Sequence, residues 1–241
     1  METRNFALEV TGDYAMFTNP ASKLGGEKHT YPVPTYGSLV GLIENVYWKP
    51  GIRYRIRRVR IMNKIRYESK CQNLIDYNDA DKVDPTFYLY LKDVCYRIEG
   101  VLEFNENEAE FPMDQNTMNK HYSILSRSIE AGGRRRAFLG TSECVASITP
   151  LDVHDFEQGE GYYDYTSCDI GLMLHSLIYP EKGWDEMTRT HLSVALWHPQ
   201  MQKGIINFYQ PEECEMIRYI KPMKMRPARN KRRADSDDTE F

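Results

Sequence analysis

Lys120 and His121 stand side by side in the block Asn119-Lys120-His121-Tyr122. An imidazole changes charge near neutral pH, so it can take up and return a proton. The neighbouring ammonium supplies a fixed positive charge for a developing oxyanion. With Thr117 or Asn119 as the cap, the pattern predicts that both residues lie in the first turn of a helix. Free backbone N–H groups and the helix dipole would there favour an anion and hold His121 toward the neutral form a general base requires. Together with an aromatic hydroxyl such as that of Tyr47, the set is sufficient to cleave RNA without a metal ion. One group takes the proton of a 2′-hydroxyl, Lys120 stabilises the phosphorane, and another group protonates the leaving 5′-oxygen. DNA lacks that nucleophile. The spacing leaves open which of Tyr47 and His121 is the base.

Other chemistries find few parts. The six histidines form no His-Glu-x-x-His pair, and no phosphate-binding Walker loop or Gly-x-Ser-x-Gly elbow occurs. Gly132-Gly133 leaves a helix, whereas a dinucleotide loop opens one. No cofactor and no metal are therefore expected. Cys71, Cys95, Cys144, Cys168 and Cys214 are odd in number and lack a Cys-x-x-Cys pair, which predicts reduced thiols in a cytoplasmic protein. The start Met1-Glu2-Thr3-Arg4-Asn5 lacks a secretory pattern, and no apolar run is long enough for a membrane span.

Charge is segregated along the 241 residues. Residues 49–70, 120–136 and 221–233 hold 21 of the 31 Lys and Arg against Glu68 and Glu130 alone, so a net charge of −4 divides into +19 there and −23 elsewhere. A basic path on an acidic body is the footprint of a polyanion binder.

Several elements must position these groups. Phe6–Val10, continuing toward Phe17, reads as a strand. Thr18–Pro34 is turn-rich, with three prolines and Gly25-Gly26. Thr35 can cap a helix to about Trp48 with Leu39, Leu42, Ile43 and Val46 as its apolar stripe, which places Tyr47 on the flank, half buried. In the next strand Arg53, Arg55 and Arg57 alternate with apolar residues, then the phase slips and Arg58 and Arg60 continue. A bulge at Arg57-Arg58 would keep all five arginines on one face. Residues 76–84 read as a polar loop, Thr86–Phe104 as two strands, and Asn105–Asp114 as an acidic connection. A second helix with the stripe Met118, Tyr122, Leu125 and Ile129 stops at Gly132-Gly133. The basic loop Arg134-Arg135-Arg136 and a strand over Val145–Leu151 follow. This order predicts an α+β fold: a ferredoxin-like (RNA-recognition-motif-like) N-terminal domain over 1–151, with a smaller antiparallel β-sheet C-terminal domain over 152–222. Residues 223–241 form a charged tail without an apolar pattern, predicted to be disordered.

The block from Tyr36-Gly37-Ser38 to Tyr47-Trp48-Lys49-Pro50, with Asn119-Lys120-His121-Tyr122 and Phe138-Leu139-Gly140, resembles the d subtype of the fifth Cas family over residues 5–220. The resemblance implies a precursor-CRISPR-RNA endoribonuclease of type I-C systems, which cuts at the base of the repeat stem-loop without metal. It implies retention of the crRNA 5′ handle beside the seventh-family backbone and eighth-family large subunits, and leaves target DNA open as a further partner. The family's catalytic tyrosine, lysine and histidine correspond to Tyr47, Lys120 and His121, and its glycine-rich loop to 132–140. On this reading Arg53, Arg55, Arg57, Arg58, Arg60 and Arg134–Arg136 contact RNA phosphates. The alternative is a non-catalytic subunit that binds the handle as a scaffold.

Overall fold

A computed structural model describes residues 4–75, 83–107 and 114–224. In chain order the elements are β1 (Arg4–Ala15), β2 (Lys28–His29), α1 (Tyr36–Val46), β3 (Ile52–Ile61), β4 (Tyr67–Ile75) and β5 (Val83–Phe104). These are followed by α2 (Gln115–Glu130), β6 (Ala137–Phe138), β7 (Val145–Leu151), β8 (Ser167–Asp169), β9 (Met173–Ile178) and α3 (Glu186–Thr190). The chain then forms β10 (His191–Trp197), β11 (Gln200–Gln202), β12 (Ile205–Asn207) and β13 (Met216–Pro222). The larger sheet has the order β6-β7-β1-β5-β3-β12-β11-β8, with β2 and β4 also paired to β5; a second sheet is ordered β13-β10-β9. Pairing is antiparallel throughout except between β2 and β5. The fold is thus mixed α and β, dominated by antiparallel sheet.

Alternation decides the two faces of the central strands. Phe6, Leu8 and Val10 of β1, Tyr96, Ile98 and Leu102 of β5, and Tyr54, Ile56, Val59 and Ile61 of β3 are buried on one face. The stripe Leu39, Leu42, Ile43 and Val46 of α1 and Met118, Leu125 and Ile129 of α2 join them in one cluster. Each such side chain contributes roughly 1.5–3 kcal/mol by leaving water. The Thr35 side chain accepts from the Ser38 N–H and starts α1 where the sequence places it.

The opposite face of the same strands is ionic. Arg53 and Arg55 pair with Glu103, Arg58 with Glu99 and Arg97 with Glu9. Arg60, 3% exposed, pairs with Asp164 at 2.8 Å and also donates to the carbonyls of Gln158 and Gly159. These bonds fasten the segment around 155–164 across the sheet.

Three expectations change in detail. The turn-rich stretch contains a 3-10 turn (Pro20–Gly25) and β2 rather than only loop, because Asn19 caps the turn and His29 bonds back to it. Thr86–Phe104 is one long strand, kinked where Asp93 adopts φ 49°, and β4 pairs along its first half. The bulge occurs as the phase slip requires, with Ile56 opposite Gly100 and Arg58 opposite Glu99, but it leaves Arg57 out of register and away from the other four arginines. The expected loop at 76–82, residues 108–113 of the acidic connection and 225–241 of the tail lie outside the described residues.

Candidate active site

α1 ends at Val46, so Tyr47 is not on the helix flank. It occupies the C-cap position in an extended conformation, φ −157° and ψ 130°, with its N–H donating to the Ile43 carbonyl at 3.0 Å. That turn sends the ring inward, leaving it 3% exposed. The buried hydroxyl of Tyr54 donates to the Tyr47 carbonyl at 2.7 Å and fixes the backbone there. From the loop after the second helix, the backbone N–H of Arg134 reaches the Val46 carbonyl at 3.4 Å. Gly132 and Gly133, at φ 75° and 102°, allow the chain to double back for that contact.

The cap of α2 is Asp114, whose carboxylate accepts from the Thr117 N–H, rather than Thr117 or Asn119. Lys120 and His121 are therefore in the second turn, not the first. Their backbone N–H groups fall within the helical ladder, so no free-amide anion site exists at this pair. What the second turn supplies is direction. Met118 and Leu125 bury one side of α2 and His121 projects toward the end of α1. The Tyr47 hydroxyl and Nδ1 of His121 lie 2.7 Å apart, with the rings tilted by 35°.

Burial first, then the charges of Lys120 and Lys49, hold His121 below the ordinary histidine range. Burial raises the Tyr47 phenol above its usual value, against a smaller opposing pull from Arg134. Near neutral pH both groups are uncharged. Two uncharged partners share this bond in one of two ways, the phenol O–H donating to a bare Nδ1 or an Nδ1–H donating to the phenol oxygen. The Arg134 guanidinium lies 5.1 Å from the centre of the Tyr47 ring while its Nε donates to Ser128 Oγ at 3.0 Å. Lys49 and Lys120 are exposed nearby.

The arginines divide. Arg134, Arg135 and Arg136 are on the loop that follows α2, and all three are exposed. Arg57 is exposed and lines an open groove with Arg4, Asn119, Tyr122 and Ser123, alongside the helix turn that carries His121. Arg53, Arg55, Arg58 and Arg60 lie on the other face with their guanidinium groups engaged by carboxylates, Glu212 and Glu157 among them. Sequence reasoning missed Arg4, whose guanidinium donates to Asn119 at 2.6 Å, and Tyr54. Arg4 carries no sequence signal, while Tyr54 reads as one more core position of its strand. Among the described residues, no group of three or more His, Cys, Asp and Glu side chains is placed to hold a metal ion. All five cysteines are unpaired, and no helix of the described residues is long and apolar enough to cross a membrane.

A phenol and an imidazole in contact, with exposed Lys49 and Lys120 nearby, thus stand where the end of α1 meets α2 on the sheet. The family model Cas_Cas5d, described as CRISPR-associated protein (Cas_Cas5), matches residues 6–209. This chain belongs to that family. It is 29% identical over 192 residues to the CRISPR pre-crRNA endoribonuclease Cas5d of Thermus thermophilus, covering 75% of this chain and 77% of the relative. It is 26% identical over 211 residues to the protein of the same name from Mannheimia succiniciproducens, covering 77% and 90%. Among solved structures, one described as a CRISPR-associated protein superposes with a TM-score of 0.73 at 30% identity, covering 90% of this chain and 98% of the other. The functionally uncharacterized protein SMU1763c from Streptococcus mutans gives 0.72 at 32% identity, with 90% and 99% covered.

Proposed function

We propose that this protein is an endoribonuclease that cuts precursor CRISPR RNA at the base of the repeat stem-loop, using the RNA's own 2′-hydroxyl and no metal ion. After the cut it stays on the crRNA 5′ handle, as a subunit beside seventh-family backbone and eighth-family large proteins. The names of the relatives support the activity. The single observation that carries the chemistry is the 2.7 Å contact between Tyr47 Oη and His121 Nδ1. In this reading the 2′-hydroxyl gives its proton to Tyr47 as Tyr47 passes its own to Nδ1. The 2′-oxygen bonds to phosphorus, Lys120 and Arg134 stabilise the phosphorane, and Nε2 protonates the departing 5′-oxygen. The products are a 2′,3′-cyclic phosphate and a 5′-hydroxyl, and His121 is left as its other neutral tautomer, which solvent exchange resets. Among the described residues Arg57, Arg134, Arg135 and Arg136 make no ion pair with a carboxylate, so they carry more of the RNA affinity than Arg53, Arg55, Arg58 and Arg60.

The spatial order β7-β1-β5-β3 with α1 and α2 as crossovers supports a ferredoxin-like reading of residues 1–151. Residues 152–222 then form a smaller β-rich unit that prolongs the same sheet through β12, β11 and β8 and adds the second sheet.

The test is cleavage of the host's repeat RNA in EDTA. A cyclic phosphate end and resistance of a substrate with 2′-deoxyribose at the cut site are expected. A requirement for magnesium, cleavage of the deoxy substrate, or unchanged cleavage by His121→Ala would remove the mechanism. Tight binding without any cleavage would instead assign a handle-holding scaffold.

A further inference from the structure

Ser128 lies inside α2 and is 4% exposed, at a buried position where alanine would favour the helix. Its hydroxyl has one proton, and that proton goes to the Ile124 carbonyl at 2.7 Å. The oxygen is left as an acceptor, and it receives the Nε–H of Arg134 at 3.0 Å. A guanidinium only donates, so the two partners match. The backbone fastens the same contact. The Gly133 N–H donates to the Ser128 carbonyl at 2.7 Å, and the Arg134 N–H to the Val46 carbonyl at 3.4 Å. Val46 immediately precedes Tyr47, so the loop is tied both to the helix that carries Ser128 and to the residue beside the phenol.

The Arg134 guanidinium comes to rest 5.1 Å from the centre of the Tyr47 ring. Its charge pulls the Tyr47 phenol down against the larger effect of burial, so it acts on the reacting oxygen. With Nε committed to Ser128, the edge formed by Nη1 and Nη2 makes no hydrogen bond within the described residues. That edge is a fork suited to two oxygens of one phosphate. A phosphate whose ribose hydroxyl meets Tyr47 Oη lies beside it. An untethered arginine on an exposed loop would follow the RNA and bind ground and transition states alike. A held one is already aimed where charge develops.

We propose that Ser128 is a positioning residue for cleavage, holding Arg134 so that its Nη1/Nη2 fork meets the non-bridging oxygens of the scissile phosphate as they gain charge. The proposal rests on the RNA-cleaving reading above and adds to it a residue that touches neither substrate nor phenol. Arg134 gives hydrogen bonds and transfers no proton; the bonds made and broken are those already stated.

A double-substitution cycle on single-turnover cleavage of the host's repeat RNA in EDTA tests it. Arg134→Ala should slow cleavage at saturating RNA about 100-fold, the scale of one oriented donor. Ser128→Ala should slow it about tenfold and change RNA affinity by less than about threefold, since the arginine and its charge remain. The double variant should match Arg134→Ala alone within about threefold, because the serine acts only through the arginine. A merely structural serine would multiply the two losses to about 1,000-fold. Alanine's better helix propensity offsets the lost hydrogen bond, so Ser128→Ala should melt within about 4 °C of wild type. In NMR of the RNA-free protein the Arg134 Nε–H signal, identified by its absence in Arg134→Lys, should resist exchange with water. Ser128→Ala should abolish that resistance. Multiplied losses, an unchanged rate in Ser128→Ala, a loss in affinity alone, or an Nε–H signal indifferent to the serine would overturn the proposal. With wild-type cleavage intact, each of these leaves the nuclease standing. A wild-type protein that cuts nothing removes the nuclease itself and the role given to Ser128 with it, even where the Nε–H signal shows the contact.

Discussion

Replacing Tyr47 by Phe deletes one oxygen and keeps the ring that fills the space between the end of α1 and β3. The ring is 3% exposed, so its apolar burial is unchanged. The lost bond to His121 Nδ1 is worth about 0.5–1.5 kcal/mol net, a melting shift of about 1–6 °C in a chain of this size. The effect on chemistry should be far larger. Positioned acid–base transfer contributes about 10²–10⁴ in rate, so single-turnover cleavage in EDTA should fall at least about 100-fold, or about 2.7 kcal/mol of barrier. RNA affinity should change by less than about threefold, because the hydroxyl faces the imidazole rather than the exposed cations. The pH profile supplies an internal control. Burial and the two lysines depress the His121 pKa, so wild-type cleavage should rise through an acid limb below the usual histidine value and stay level above it. The Phe variant should keep that limb, since His121 still titrates. Cleavage by the variant within threefold of wild type, or a wild-type rate that shows no acid limb anywhere below the usual histidine value, would refute the pair as the proton-transfer unit.

Arginines on the two faces of β3 should separate binding from stability. Arg57→Ala should weaken RNA binding and lower the salt slope by about one, with stability changed by less than about 0.5 kcal/mol. Arg60→Ala should leave the slope unaltered and cost about 1–3 kcal/mol in urea unfolding, since it removes a buried guanidinium that holds partly exposed Asp164 and two carbonyls. His175 is 0% exposed, with its pKa pushed down to about 4, chiefly by burial. Its folded pKa lies below the unfolded value, so its contribution is complete above about pH 6.5 and is lost as pH falls toward 4. Urea unfolding of the wild type should show a loss of about 3 kcal/mol across that window, reduced in His175→Gln. Gly140→Ala should lower stability by about 2–5 kcal/mol in thermal melts, because the residue sits at φ 94° and a Cβ would lie 2.0 Å from the Met16 carbonyl oxygen.

Local patterns are decided by neighbours in the chain, and so they were legible in the sequence. The apolar stripe and Thr35 cap of α1 follow from helical period and capping chemistry, and the glycine stop after α2 from the left-handed backbone it needs. The phase slip among the arginines implied a bulge because alternation has a period of two. The family blocks around Tyr47 and Lys120-His121 named the chemical groups. Local pattern was insufficient where a distant segment competed for the same side chain. Four of the five strand arginines are neutralised by Glu99, Glu103 and Asp164 and by carboxylates from the 157 and 212 regions, which no spacing within β3 could reveal. The earlier start of α2 depends on Asp114 outcompeting Thr117 and Asn119 as the cap, and it moves His121 from an amide-rich helix end to a position defined by side chains alone. Tyr47 turns inward because its carbonyl is held by Tyr54 of the next strand. Sequence therefore determined which groups are present and which elements carry them. Only the tertiary structure decided which charges are paired and which ring nitrogen faces the phenol, because charge pairing and desolvation depend on through-space distance.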